Sequence, residues 1–181
     1  MSRAILYVEV PCFYAMVEIA NDPELADRPV IVGGDPRKRG LVQAASPEAL
    51  EVGVAPDMPM LEALQLCPRA RARRTDMALY RDVSRRLFAC LRRGFERLEP
   101  FGLAAAFFEI GPAGEAPEAI AARLRGLVAE ELALPLRVGI ANGKFAARLA
   151  AQESGPAGVR RRGLDFRIRS SAFVTQAIIR L

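Results

Sequence analysis

With no histidine among its 181 residues, the chain cannot build a Ser-His-Asp or Cys-His nucleophile pair, which leaves Asp and Glu as general bases or metal ligands. Two stretches are the places to look for them. The first is AILYVEV at residues 4–10, an apolar run that reads as a strand buried on both faces save at Glu9. The second is FGLAAAFFEI at residues 101–110, which reads as a hairpin or bent strand closed by Gly111-Pro112. Its centre, Ala104-Ala105-Ala106, offers neither ligands nor bulky packing groups. Cys12, Cys67 and Cys90 are odd in number, widely spaced and without a CxxC pair, so they read as buried free thiols, not as a disulfide or zinc site. VGGDPRKRG lacks the strand, GxxxxGK[ST] and helix of a phosphate loop and reads as a basic hairpin turn.

The elements that would position these residues follow from hydrophobic period and punctuation. After the first strand, Pro11 fits the first turn of a helix whose apolar positions Phe13, Met16, Val17 and Ala20 run until Asn21-Asp22-Pro23. Two short strands at 30–33 and 41–45 follow, then a short helix capped by Ser46-Pro47-Glu48 and another opened by Pro59 and running through Leu66, together a small subdomain. A long amphipathic helix is expected from Asp76 to Leu98, with Met77, Tyr80, Val83, Leu87, Cys90 and Leu91 on one stripe. Arg81, Arg85, Arg86, Arg92, Arg93 and Arg97, interspersed with Asp82 and Glu96, read as its solvated face. The hairpin comes next, then a helix from Pro117 to Leu132, the strand PLRVGIA and a helix from Lys144 to Glu153. That order predicts an α+β fold: a ferredoxin-like sheet with helices on one face, interrupted after its first helix by the subdomain. The sheet should contain strands near 4–10, 98–103, 106–110 and 135–140.

Charge is distributed unevenly. The net charge of +5 resides in residues 159–181, while residues 1–158 hold 20 basic and 20 acidic side chains. A neutral body with a basic tail gives little reason to expect strong nucleic-acid binding by the body. No stretch approaches the roughly 20 apolar residues of a membrane span, and Met1-Ser2-Arg3 runs directly into strand pattern, so a cytoplasmic protein with no membrane partner is expected.

Several strings, in order and at the right intervals, resemble the Y-family translesion DNA polymerases of the DinB branch, the ImpB/MucB/SamB-like group. LYVEVPCFYAMVE resembles that family's first palm strand and helix, whose pattern ends in D-x-D-x-F-Y/F-A-x-V-E. RPVIVGG, GLVQAASPEALEVGVAPDMPMLEALQLCP and VGIANGKFAARLAA resemble its fingers and its last palm strand and helix. The resemblance covers about residues 4–158. It implies a palm over residues 1–22 and 76–158, fingers over 23–75, and a basic tail over 159–181 outside the pattern.

What the resemblance implies about chemistry is mostly loss. Active members carry S-x-D-E-x-x-x-D on the hairpin, whose Asp and Glu join a first-strand Asp to hold two Mg²⁺ ions. The alignment puts that pair at Ala104-Ala105, with Glu9 at the first-strand position, Pro11 at a second acidic position and Gly102 at the serine. Ala44, Pro47 and Leu50 align with the Thr, Tyr and Arg that grip the triphosphate, and Gly155 with a Lys that reaches it. Tyr14 stands at the position that screens out ribonucleotides, or is a core aromatic. Lys144 is a retained position near the DNA side, read as a phosphate contact or as a solvated terminal lysine.

The resulting expectation is a non-catalytic palm-and-fingers module, without cofactor or metal, that acts as an accessory or scaffold in translesion synthesis as inactive ImuB-type homologues do. Its partners would be an active translesion polymerase or sliding clamp, with DNA bound weakly. Two alternatives remain: a truncated translesion polymerase with weak Mg²⁺-dependent activity, and a relic without a task. Family members continue into a helical thumb and a C-terminal DNA-gripping domain, for which 181 residues leave no room.

Overall fold

The computed structural model describes residues 4–95, 97–111, 114–155 and 157–161. Strand β1 (Ala4–Glu9) forms from an unbroken β-prone run and stops before Pro11. Cys12, in the left-handed region at φ 51°, turns the chain into helix α1 (Phe13–Asn21), which buries Phe13, Ala15 and Val17. Asp22-Pro23 ends it.

The inserted subdomain is a three-stranded sheet with its own core. Strand β2 (Val30–Gly33) is wholly buried and pairs antiparallel with β3 (Val42–Ala45). Helices α2 (Pro47–Glu51) and α3 (Met60–Leu66) follow. Ser46 sits at the N-cap of α2, but its Oγ accepts from the Val30 amide at 3.0 Å, tying the helix entry to β2. Strand β4 (Arg71–Arg74) then pairs parallel with β2. Its RARR sequence carries no apolar alternation, and the sequence reading contains no strand there. Ile31, Val42, Ala45, Met60, Ala63 and Cys67 are in the subdomain's core.

Helix α4 (Met77–Gly94) is capped by Asp76, whose Oδ1 accepts from the Ala78 and Leu79 amides. It stops four residues short of the expected Leu98. Gly94 packs so closely on Leu124 that a Cβ would collide with it, and Phe95 is already extended. The chain continues as β5 (Leu98–Phe101) and β6 (Ala105–Ile110), then α5 (Pro117–Leu132), β7 (Arg137–Ala141), α6 (Lys144–Glu153) and β8 (Val159–Arg161). The large sheet has the order β5-β6-β1-β7-β8, and all four expected strands are in it. The β7–β8 pair is parallel. Val159–Arg161, the start of the stretch expected to stand apart, therefore form a strand of this sheet. Glu96, Pro112, Arg162, Asp165, Arg167, Arg169 and Arg180 lie outside the described residues.

The fold is α+β, as the sequence implies. One face, with Leu6, Val8, Phe108 and Ile140, shares a core with Leu87 and Leu91 of α4 and Leu124 and Val128 of α5. The expectation of helices on one face only needs correcting, because α6 covers part of the other. Ile5, Tyr7, Phe107 and Ala141 meet Ala147 and Ala151 of α6 there. The helix can lie so close because Gly139 has no side chain: a Cβ on it would overlap the Ala147 carbonyl.

Candidate functional site

Strand register assembles the candidate residues. Glu9 ends β1 between two neighbours, with Ala105 as its Cα partner on β6 and Arg137 as its Cα partner on β7. Phe101 on β5 pairs in turn with Ala105, so one row across the sheet reads Phe101, Ala105, Glu9, Arg137. The Ala104 carbonyl accepts from the Val10 amide at 2.9 Å, which brings the third position to the same strand ends. Ala104 packs half-buried on the α4 and α5 side, and Ala105 is buried on the α6 side.

Glu9 is not alone. Nε and Nη2 of Arg137 both donate to Glu9 Oε2, at 3.0 and 2.6 Å. The two side chains are 25% and 19% exposed, so the pair is partly withdrawn from water. Such a charge-assisted contact is short and strong. The sequence reading passed over Arg137. Period-two counting places it on the face of Gly139 and Ala141, and an arginine there is a signal that an acid partner stands across the sheet.

The pair opens onto a cleft of about 600 Å³ between the two sheets. Glu9 and Arg137 line it together with Cys12, Tyr14, Ala44 and Leu50. Pro47 and Gly155 do not take part in that lining; Pro47 begins α2, and Gly155 follows α6 at φ 77°. Burial pushes the Cys12 thiol above its usual range; Arg137 pulls the other way, and Glu9 and Glu48 add to the rise. It is therefore a poor thiolate. Burial also raises the Tyr7 phenol, and the Glu9 carboxylate raises it further.

Tyr14 is packed on one side and faces the cleft on the other. Its ring stacks on Tyr80 at 4.3 Å with a 12° interplanar angle, and it lines the cleft. Lys144, at the start of α6, pairs with Glu99 and lies 5.5 Å from the Phe107 ring centroid. Arg148 sits 5.1 Å over the ring of Phe101, which is exposed. These two cations on the open side of the sheet are thus held by aromatic faces.

Mg²⁺ asks for about six oxygen ligands in near-octahedral geometry, one or two of them free protein carboxylates and the rest waters and substrate phosphates. The three converging positions offer one carboxylate, already engaged by a guanidinium, and two methyl groups. Among the described residues no group of three or more His, Cys, Asp or Glu stands close enough to hold a metal ion. The donor set does not fit Mg²⁺. In addition, no described helix is long and apolar enough to cross a membrane.

Comparison with known proteins gives a consistent result. The model of the impB/mucB/samB family matches residues 8–152. The chain is 38% identical over 163 residues to a DNA polymerase IV of Methanoculleus marisnigri, a match covering 87% of this chain and 45% of that protein. It is also 38% identical over 161 residues to a DNA polymerase IV of Pseudomonas paraeruginosa, covering 87% and 46%. Among solved structures, an insertion ternary complex of Dbh DNA polymerase superposes with a TM-score of 0.81 at 24% identity, over 88% of this chain and 48% of that one. DinB from Sulfolobus solfataricus superposes with a TM-score of 0.80 at 24% identity, over 89% and 48%. The chain spans a little under half the length of these relatives.

Proposed function

Because the chain belongs to the impB/mucB/samB family, we propose that its Y-family DNA-polymerase-like domain is a non-catalytic module, serving as an accessory or scaffold in translesion synthesis. In this reading residues 1–22 and 76–158 are the palm and residues 23–75 the fingers. The observation that carries it is the convergence of Glu9, Ala104 and Ala105, where one carboxylate is held by Arg137 and the other two positions are methyl groups. Phosphoryl transfer depends on metal ions that bridge and neutralise the phosphates, and among the described residues no compensating cation cluster lines this cleft. Ala44 and Leu50 in the lining give a triphosphate apolar side chains instead of donors, and Pro47 and Gly155 likewise provide no side-chain donor.

The partners of such a module are an active translesion polymerase or a sliding clamp, with DNA contacted weakly. Lys144 is the retained candidate for a phosphate contact, and its pairing with Glu99 means that DNA must compete for it. A second reading draws on the relatives named DNA polymerase IV: a domain with weak Mg²⁺-dependent nucleotidyl transfer, Glu9 being its remaining ligand. Primer extension with Mg²⁺ and with Mn²⁺ separates the two. The non-catalytic reading expects no extension above a no-enzyme control, and extension abolished by Glu9→Gln establishes the other. Pull-downs with clamp and polymerase subunits test the scaffold role, and retention of neither removes support for it.

A further inference from the structure

We infer that Arg137 is the resident cation of this cleft, a guanidinium fixed to the chain where the family's active members bind divalent ions, and that it closes the site to metal independently of the lost carboxylates. The inference rests on the reading of the cleft as a degenerate polymerase site. Three observations carry it. Arg137 is in register with Glu9 on the strand opposite Ala105, so its side chain reaches the same strand ends at which the three ligand positions converge. Two of its N–H groups converge on one oxygen, Oε2, and so compete with a metal for that oxygen. The pair lines the cleft itself, beside Tyr14, Ala44 and Leu50.

The physical reason lies in what an isolated carboxylate requires. With Ala104 and Ala105 apolar, Glu9 is a partly buried anion at the end of a buried strand, and leaving it unpaired is costly. One carboxylate gives a divalent ion at most two of its roughly six ligands and leaves the others to water and substrate phosphates. A guanidinium needs only one carboxylate and neutralises it. The extra methylene of Glu relative to Asp helps it reach a partner on the adjacent strand. On this account Glu9 is kept for Arg137, and the two residues form one functional unit. A guanidinium a few Å away also repels any divalent ion that enters.

The test uses four proteins of the same 181 residues: the parent, E9D/A104D/A105E, the same triple variant with R137S, and R137S alone. Mn²⁺ binding is read from the loss of the free-ion paramagnetic resonance signal, and melting midpoints are followed across Mg²⁺ and Mn²⁺ titrations. The quadruple variant should bind Mn²⁺ tighter than the triple by roughly tenfold or more, because the resident charge is gone. A quadruple variant that binds no better than the triple overturns the inference. Should the quadruple fail to fold, E9Q, R137Q and E9Q/R137Q decide by melting alone. R137Q should lower the midpoint by stranding Glu9, and adding E9Q should recover most of that loss. A double variant no more stable than R137Q overturns the inference. Primer extension by the parent would instead sink the non-catalytic reading, so the two failures are distinguishable.

Discussion

Tyr80 is fully buried, and its hydroxyl donates to Glu18 Oε1 at 2.6 Å, while Glu18 Oε2 lies 3.9 Å from Arg73 Nε. Arg73 in turn binds Asp22 at 2.6 Å, so α4, α1 and β4 are joined by one polar chain across the boundary between the two sheets. Burial, followed by the hydrogen bond to Glu18, pushes the Tyr80 phenol above its ordinary value of 10.0, and burial does the same for Tyr7. The sign of the pH effect follows. A phenol that holds its proton more tightly when folded contributes stability in full below its unfolded pKa, and this is lost as pH rises past about 10. Chemical denaturation at a series of pH values should therefore show stability falling above about pH 10, less steeply in Tyr80→Phe and in Tyr7→Phe. Slopes unchanged in both variants would refute the assignment. Near neutral pH, Glu18→Ala should cost about 1–3 kcal/mol, because it leaves the Tyr80 hydroxyl buried without an acceptor.

At the scale of elements, α6 and β7 act as one unit, since the helix rests on Gly139 with Ala147 and Ala151 packed against the sheet. Gly139→Ala should lower stability by roughly 1–3 kcal/mol by forcing the helix off the sheet. Gly126, within α5 and with open space where a Cβ would go, gives the control. Gly126→Ala should raise stability by roughly 0.5–1 kcal/mol through helix propensity alone. Equal effects in thermal melts would show that the close approach is not limiting. This contact also marks what the sequence could and could not reveal. The unbroken apolar run in AILYVEV and period 3.6 in the stripe of Tyr80, Leu87 and Leu91 make β1 and α4 legible, because burial writes itself into residue type. Strand β4 was hidden because RARR lies at an exposed edge and is held by backbone pairing, which leaves no apolar signature. Strand β8 was hidden for the same reason. At the site, the alanines are legible as side chains without a donor, while the sequence does not show Arg137 as the partner of Glu9. That pairing spans 128 positions and depends on β7 lying beside β1.

Across the whole molecule, charge sets what the protein can bind. Residues 1–158 balance 20 basic against 20 acidic side chains, and many of the cations are already engaged within the fold. Arg73, Arg74, Arg93, Arg123, Arg137 and Lys144 all stand in ion pairs, with Asp22, Asp35, Glu131, Glu115, Glu9 and Glu99 respectively. A phosphate backbone must displace these acids before it gains a contact, and each neutralised phosphate contributes a salt-log slope of only about 0.9. Binding of duplex DNA by the folded body should therefore be weak and nearly lost by about 0.2 M salt. Arg162, Arg167, Arg169 and Arg180 have Asp165 as the one acid among them, and any sequence-independent affinity should reside there. A chain ending at Arg161 keeps β8 whole and isolates their contribution. Fluorescence anisotropy over a salt series should show the slope of log affinity falling by roughly 3–4 in the shortened chain, as expected for four lost phosphate contacts. If the shortened chain binds as tightly as the full one, the affinity belongs to the folded body. Lys144 and Arg148 on the open side of the sheet would then be the residues to replace next, because they are the cations held over Phe107 and Phe101.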